Sequence, residues 1–191
     1  MAMNWFHRRL CGSQRWARYV ESDLLPWALR DVELGEHALE IGPGYGANLR
    51  VLATRVPKLT AVEVSAELAA RLDERFGSQA TVIHGDGAAT GLPECEFTSV
   101  VCFTMLHHVP TSRQQDALFA EAYRLLRPGG TFAGSDGVHS FIGRLVHLRD
   151  TYNPIDPNTL PERLATAGFA DVQLTVRNGQ QRFRARKPDQ P

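Results

Sequence analysis

Glu40-Ile41-Gly42-Pro43-Gly44-Tyr45-Gly46-Ala47-Asn48-Leu49 is the stretch that decides the fold of this 191-residue chain. It follows an apolar run typical of a strand, residues 37–41, and opens a run with helical spacing, residues 47–55. Gly42 permits a tight turn, and Gly44 lets the backbone approach a ligand where a helix start offers free N–H groups. The stretch therefore predicts a strand–loop–helix unit with a ligand at the loop, and a purely structural turn is the alternative.

The same alternation continues on the carboxyl side of this unit. Apolar, β-branched runs predict strands at residues 59–63, 80–84, 98–103 and 131–135, and helical spacing predicts helices at residues 66–76 and 113–126. After a helix at residues 160–167, alternating runs flank Asn178-Gly179, a strong hairpin signal. The pattern predicts a Rossmann-like three-layer α/β/α sandwich whose mostly parallel seven-stranded sheet ends in an antiparallel hairpin.

Length and composition indicate a single domain spanning residues 1–191. Residues 1–34 form an N-terminal helical segment in which Pro26 would kink or restart the helix, and residues 136–157 look like a lid-like insertion. The chain carries 21 basic and 21 acidic residues, so its net charge argues against a nucleic-acid partner. Apolar runs fall short of a membrane span, and the three cysteines form no CxxC pair. We expect a reduced cytoplasmic protein.

Carboxylates decide which ligand suits the glycine loop. The spacing Gly42-x-Gly44-x-x-Ala47 also fits the dinucleotide pattern, but Glu40 just before the loop would repel a pyrophosphate and suits a cation. Glu63 ends the next strand, where a carboxylate can accept hydrogen bonds from two ribose hydroxyls. Asp86, after the third strand, can accept from an exocyclic amine. The pattern favours a positively charged nucleoside over a dinucleotide.

Further motifs follow in a fixed order: Glu63, Gly85-Asp86, Leu106-His107-His108 and Leu125-Leu126-Arg127-Pro128-Gly129-Gly130. With the glycine loop, they make the chain similar to the class I S-adenosylmethionine-dependent methyltransferases, in the style of the small-molecule group that includes the quinone-biosynthesis methyltransferases. The resemblance covers roughly residues 35–135. It implies S-adenosyl-L-methionine as cofactor and S-adenosyl-L-homocysteine as product.

The resemblance also implies roles for single residues. The three loop glycines would pack beneath the methionine part of the cofactor, Glu40 would reach its amino group, and Glu63 would hold the ribose. Asp86 would contact the adenine amine, Gly87 the adenine edge, and Phe103 the sulfonium. The loop glycines are Gly42, Gly44 and Gly46. One departure is Phe97-Thr98, where family members often carry an acidic residue, and we interpret that position as structural.

Candidate catalytic residues are His107, His108 and Asp136. Methyl transfer is an in-line displacement that mainly needs alignment and exclusion of water, and a general base helps only if the acceptor must lose a proton. Both histidines follow the fourth strand at the ligand-binding edge, and adjacent side chains point different ways. The alternatives are that the histidines merely cap or pack under the cofactor and that Asp136 caps a backbone N–H.

Other residue groups carry weaker signals. His139 and His147 in the insertion could touch substrate or lie on the surface. As a set of metal ligands together with Asp136 or Asp150, they match no known metal-binding spacing, so we expect no metal. Tyr45 and Tyr152 are weaker candidates for substrate contact. Three aromatic residues near the start could cover the cofactor or pack the first helix on the sheet: Trp5, Phe6 and Trp16.

The predicted function is methyl transfer to a small, apolar or aromatic acceptor, and a partner chain in a homodimer could complete the pocket. One alternative is a nicotinamide-dependent oxidoreductase, but the chain has lysine only at Lys58 and Lys187 and lacks a Tyr-Lys catalytic pairing. Another is a non-catalytic nucleoside-binding domain, against which the intact Glu40 and Glu63 argue. The acceptor atom, whether carbon, oxygen, nitrogen or sulfur, stays open.

Overall fold

The computed structural model describes residues 5–148 and 150–189, and over these residues a single seven-stranded sheet carries helices on both faces. The strand order is β3-β2-β1-β4-β5-β7-β6, with only β7 antiparallel to its neighbours. The strands are β1 His37–Ile41, β2 Lys58–Glu63, β3 Thr81–His84, β4 Phe97–Phe103, β5 Leu126–Gly137, β6 Ala170–Arg177 and β7 Gln180–Arg186. The predicted fold class is confirmed.

The helices cover the two faces of the sheet in alternation. They are α1 Trp5–Cys11, α2 Gln14–Tyr19, α3 Leu25–Ala28, α4 Ala47–Leu52, α5 Ala66–Phe76, α6 Ser112–Leu125, α7 Phe141–Val146 and α8 Leu160–Thr166. One core packs the N-terminal helices, α4 and α5 on the sheet, and the other packs α6 and α8 on its opposite face. All residues of β1 and β4 are buried, as expected for central parallel strands.

Strand β1 lies at the point where the strand order reverses. It pairs in parallel with β2 on one side and with β4 on the other. The chain returns over opposite faces of the sheet on the two sides of this point, which leaves a crevice at the carboxyl ends of the strands. The glycine loop after β1 therefore opens into the crevice where such folds bind ligands.

The N-terminal segment differs in detail from the expected kinked helix. A π-helical turn, Val20–Leu24, joins α2 to α3, and the Leu25 N–H bonds to the Val20 carbonyl five residues back. Pro26 lies in the first turn of α3, where its missing N–H costs no helical hydrogen bond. Val20 and Leu24 of the π-turn are buried in the core that packs this segment on the sheet.

Strand β5 is longer at both ends than residues 131–135, the extent expected from sequence. Leu126 pairs with Phe97, and the ladder resumes after a register shift at Thr131 with Ser99. At the other end the antiparallel partner β7 extends the ladder to Gly137. Asp136 therefore belongs to the strand itself, paired with Gln181, and does not lie in the loop beyond it.

The closing hairpin follows the sequence prediction. Asn178 and Gly179 have φ of 50° and 76°, the two positive values of a type I′ turn. The basic residues of β7 are used within the fold, since Arg182 donates to the Trp27 carbonyl at 2.7 Å and Arg184 to the Asp31 carbonyl at 2.5 Å. These contacts tie the N-terminal segment to the end of the sheet.

Thr98 accounts for the departure from the family pattern at the start of β4. Its hydroxyl oxygen accepts the His37 N–H at 3.0 Å and lies 2.6 Å from the Leu34 carbonyl oxygen. These hydrogen bonds of the buried Thr98 side chain hold the segment that leads into β1 against β4. The structural interpretation of this position is confirmed by these contacts.

Among the helices in the described part of the chain, none combines the length and the apolar character needed to cross a lipid bilayer.

Candidate active site

A cavity of about 420 Å³ opens at the carboxyl ends of β1, β2 and β4. This volume is within the range of small-molecule sites. The glycine loop forms one wall, the end of β2 with the first turn of α5 a second, and the segment after β4 a third. The N-terminal helices close the fourth side. The cavity therefore coincides with the crevice that the strand order predicts.

The three loop glycines have positive φ for different physical reasons. A Cβ at Gly46 would lie 2.6 Å from a methyl carbon of Leu72 and 2.7 Å from the Phe76 ring, so this glycine lets the loop pack against α5. A Cβ at Gly42 would lie 3.0 Å from Met105. At Gly44, a Cβ would meet no described atom within 4 Å. Gly44 lines the cavity, so its missing side chain leaves room for a ligand.

Glu63 joins the loop to the end of β2. One carboxylate oxygen accepts the Gly44 N–H at 3.0 Å, and the other accepts the Ser65 N–H at 2.9 Å. The residue is 5% exposed and lines the cavity. Two backbone hydrogen bonds thus hold the carboxylate in place, and each oxygen keeps further acceptor capacity for a ligand hydroxyl.

Glu40 and Asn48 form a buried polar pair behind the loop. The Asn48 amide donates to one Glu40 carboxylate oxygen at 2.8 Å. Among the described residues, the second Glu40 oxygen and the Asn48 amide oxygen have no hydrogen-bond partner although both are buried. Asn48 lines the cavity. Burial chiefly raises the pKa of Glu40 to about 8, and the charge of Glu63 adds to the rise. The pair can accept further hydrogen bonds from a donor group that reaches it.

Asp86 and Gly87, the residues expected to contact the adenine, follow β3 and lie outside the walls of this cavity. The exposed Asp86 accepts the Ala88 N–H at 2.9 Å, an Asx turn that fixes its carboxylate after β3. A Cβ at Gly87 would lie 2.4 Å from Ile41, so this position requires glycine for the turn to pack on β1. Among the described cavity walls, neither residue contributes, whereas Phe103 does.

The N-terminal helices cover the outer side of the cavity. Arg8, Cys11 and Trp16 line it, and the Arg8 side chain reaches the Tyr45 hydroxyl of the glycine loop at 3.4 Å. Burial raises the pKa of the Cys11 thiol to about 11, so Cys11 stays a neutral thiol at physiological pH. Of the three aromatic residues considered, Trp16 lines the cavity and Trp5 is 72% exposed. The side chain of Phe6 lies outside the described residues.

His107 and Asp136 form a buried hydrogen-bonded pair where β4 and β5 end. The His107 Nδ1 makes a short hydrogen bond to one carboxylate oxygen of Asp136, and the His107 backbone N–H donates to the other at 2.9 Å. The Gly137 N–H donates to the same carboxylate at 2.7 Å. Asp136 therefore caps backbone N–H groups, as the structural alternative expected, and it also orients the His107 imidazole. Its catalytic role stays a prediction.

His108 lines the cavity, and its ring centroid lies only 4.2 Å from that of His107, so the two adjacent side chains do not point apart. His147, just after α7, brings its ring to 4.8 Å from that of His107 and 5.1 Å from that of His108. Tyr152 stacks on His147 at 4.7 Å, while His139 is exposed. The insertion thus contributes one histidine to a cluster beside the cavity, a grouping that the sequence spacing did not indicate.

Sequence reasoning missed Asn48 and the segment after β4. Asn48 is the second residue of α4, and only its contact with Glu40 reveals its role. Thr104 and Met105 line the cavity, and Thr104 has φ of 51°, which is unfavourable for a β-branched residue. Its N–H bonds to the Ser135 carbonyl at 2.7 Å, which holds this bend next to β5. A Thr followed by Met after a buried strand gives no sequence signal for such a bend.

Comparison with known proteins agrees with this geometry. A family model described as "Methyltransferase domain" matches residues 39–134. An uncharacterized methyltransferase of Mycobacterium tuberculosis is 33% identical over 122 residues, 63% of this chain and 59% of that protein, so the match spans less than two thirds of the relative. The ribosomal RNA small subunit methyltransferase A of Aromatoleum aromaticum is 28% identical over 185 residues, 75% of this chain and 70% of that protein. A Pyrococcus horikoshii structure superposes with a TM-score of 0.77 at 16% identity, over 93% of each chain.

Proposed function

Because the chain belongs to the class I S-adenosylmethionine-dependent methyltransferases, we propose that it transfers the methyl group of S-adenosyl-L-methionine to a small, apolar or aromatic acceptor. The observation that carries the proposal is the Glu40–Asn48 pair. Two buried acceptor oxygens without partners among the described residues, one of them on a cavity-lining side chain, suit a ligand that brings both positive charge and N–H donors. The amino acid part of the cofactor supplies both.

Each part of the cofactor would meet residues of this chain. Asn48, held by Glu40, would accept from the ammonium group, and the open side of Gly44 would let the backbone approach. Glu63 would accept the ribose hydroxyls, and Asp86 with Gly87 would meet the adenine beyond the cavity. When bound, the cofactor supplies an electrophilic methyl group on a sulfonium with a neutral leaving group. Phe103 and Met105 would exclude water around that methyl group.

Apolar surface next to the site supports a small apolar acceptor. Helix α7 and the turn after it expose Phe141, Leu145 and Leu148 by 81%, 63% and 64%. His147, in the same turn, contacts His108 of the cavity wall. An aromatic or aliphatic acceptor could bury part of this surface as it approaches the methyl group.

The net charge supports a small molecule over RNA, although one relative is named for ribosomal RNA methylation. Basic and acidic residues number 21 each, and the arginines of β7 hydrogen-bond within the fold. A protein that binds RNA through many phosphate contacts needs an excess of exposed positive charge. We therefore place RNA among the acceptors to be tested, with no transfer expected.

Calorimetry with S-adenosyl-L-homocysteine and with NADH tests the cofactor directly. We expect saturable binding of the homocysteine compound and none of NADH; the reverse result would support the oxidoreductase alternative and overturn the proposal. Release of labelled S-adenosyl-L-homocysteine is then measured with phenols, quinones, thiols, amines and RNA fragments as acceptors. Binding without turnover on every acceptor would support the non-catalytic alternative.

Glu63→Ala is expected to weaken binding of S-adenosyl-L-homocysteine by roughly 5- to 150-fold, about 1–3 kcal/mol, because hydrogen bonds to a charged group are lost. The variant also frees the Gly44 N–H, which disturbs the loop. Glu67→Ala is the matched control, since Glu67 is an exposed carboxylate that also lines the cavity. Equal affinities of the two variants, measured by calorimetry, would remove Glu63 from the site.

A further inference from the structure

Three histidines from two separate parts of the chain meet beside the cavity. His107 and His108 form the short 3-10 turn Leu106–His108 after β4, and His147 follows α7. Their ring nitrogens lie within 4.8 Å of one another. We propose that His107, His108 and His147 bind one divalent transition-metal ion of the Zn²⁺ type. This departs from the sequence expectation of no metal, which considered His147 only with residues of its own segment.

The donor set suits such an ion. Three imidazole nitrogens with a fourth, open position form a common arrangement of catalytic zinc. Imidazole also suits Cu, Ni and Fe, whereas Mg²⁺ and Ca²⁺ prefer oxygen ligands. Tetrahedral zinc bonds of about 2.0–2.1 Å place donor nitrogens about 3.4 Å apart, so the three side chains must move together by about 1 Å or slightly more. Rotations about χ1 and χ2 supply a shift of that size.

Hydrogen bonds at Nδ1 orient two of the histidines. Asp136 and the Gly143 carbonyl can only accept, so the Nδ1 atoms of His107 and His147 both carry the hydrogen. In the neutral ring, the lone pair is then on Nε2. A carboxylate or carbonyl on the far nitrogen is the usual support of a metal-binding histidine, because it fixes the ring and raises its basicity. The sequence pattern alone could not indicate this arrangement.

The supports of the site are themselves fixed. Asp136 is 1% exposed, lies within β5, and accepts the backbone N–H groups of His107 and Gly137. Tyr152 stacks on His147, and the Asn153 N–H bonds to the His107 carbonyl at 2.8 Å. Both ends of the cluster are thus held by backbone or stacking contacts, which limits the movement needed to bring the three rings onto one ion.

The position of His108 suggests what the ion does. His108 lines the cofactor cavity, so an ion on this histidine lies beside the reacting partners. An ion with three protein ligands would bind an acceptor oxygen or sulfur and lower its pKa, so that the acceptor gives its proton to water. The resulting anion would form the new bond to the methyl carbon as the bond from that carbon to the sulfonium breaks and neutral S-adenosyl-L-homocysteine leaves. This step rests on the methyl-transfer function proposed above, and it indicates acceptors with an ionisable hydroxyl or thiol, such as phenols, enols or thiols, in preference to amines. Binding of the ion itself does not depend on that function.

The test uses the full chain after treatment with a chelator and dialysis. Titration with Zn²⁺ alone is expected to show one ion per chain, and Co²⁺ alone is expected to give the visible absorption of a tetrahedral nitrogen-ligated ion. His107→Gln and His147→Gln should each weaken Zn²⁺ binding by more than 10-fold, and Asp136→Asn by 10- to 100-fold. His139→Gln is the matched control, an exposed histidine of the same insertion, and should bind like the wild type.

Circular dichroism checks that each variant is folded, so that lost binding is not lost structure. The proposal is overturned if wild type binds Zn²⁺ no more tightly than the folded His107→Gln and His147→Gln variants, or if His139→Gln loses binding equally. Calorimetry with S-adenosyl-L-homocysteine separates the two proposals, because it tests the cofactor site without the metal. Transfer to phenols or thiols should fall on chelation and return with Zn²⁺; unchanged transfer would remove the ion from the reaction.

Discussion

Glu40→Gln is expected to stabilise the ligand-free chain by roughly 3–5 kcal/mol at pH 8 and by far less at pH 5. Burial raises the pKa of the Glu40 carboxyl from its ordinary 4.5 to about 8. Between these values the folded chain holds one proton more than the unfolded chain, so the free energy of unfolding falls as pH rises, by about 1 kcal/mol per pH unit. Glutamine resembles the protonated acid in shape and does not titrate, so this loss disappears in the variant.

The measurement is the difference between the two proteins in urea unfolding from pH 5 to pH 8.5. The difference is needed because burial lowers the pKa of His37, which titrates in the same range with the opposite effect on stability. Asn48→Asp is an informative second variant, since it adds a like charge beside Glu40 and should steepen the loss. Parallel curves for wild type and Glu40→Gln would mean that Glu40 is already ionised in the ligand-free chain.

The same carboxyl should couple cofactor binding to protons. A ligand ammonium near Asn48 favours the ionised form of Glu40, so binding should lower the pKa of this carboxyl and release up to one proton at pH 7. Calorimetry with S-adenosyl-L-homocysteine in two buffers of different ionisation enthalpy measures that proton. Affinity should rise between pH 6 and pH 8 in wild type and stay flatter in Glu40→Gln. Equal enthalpies in both buffers would contradict the coupling.

The parts of the fold that were predictable from sequence are those with a local signal. The glycine loop, the buried run of β4 and the Asn178-Gly179 turn each have a local signal, and with the alternation of strands and helices they predicted a mostly parallel sheet that ends in a hairpin. Strand β5 was underestimated because its last residues are polar, and its length depends on pairing with β7, a partner distant in sequence. A local sequence pattern cannot indicate the length of a strand that is set by pairing with another strand some 50 residues away.

The candidate site also has residues that could be predicted from sequence and residues that could not. Glu40 and Glu63 could be placed because each stands at a fixed offset from a strand end, and the methyltransferase class implied by the motifs is confirmed. The likeness to quinone-biosynthesis enzymes and the roles of single residues stay predictions. Asn48 and the pairing of His147 with His107 could not be foreseen, because each depends on side chains meeting across separate elements. Contacts of this kind carry no period or spacing in the sequence.

Gly46→Ala is expected to destabilise the chain by about 2–5 kcal/mol, whereas Gly44→Ala should cost only about 1–2 kcal/mol. Gly46 and Gly44 have positive φ, 77° and 57°, so an alanine at either position would adopt a strained left-handed backbone conformation. Only at Gly46 would the new methyl group also collide with Leu72 and Phe76 of α5. The difference between the two variants in urea unfolding therefore measures the packing of the loop on that helix.

Binding should rank the two variants in the opposite order. The methyl group of Gly44→Ala projects into the cavity, so affinity for S-adenosyl-L-homocysteine should fall at least 10-fold while the chain remains folded. Gly46 faces α5, and Gly46→Ala, measured by calorimetry at a temperature where it is folded, should bind within a few-fold of wild type. Equal stabilities, or a larger loss of binding at Gly46, would show that the ligand does not approach the loop at Gly44. The two alanines thus separate the loop's role in folding from its role in binding.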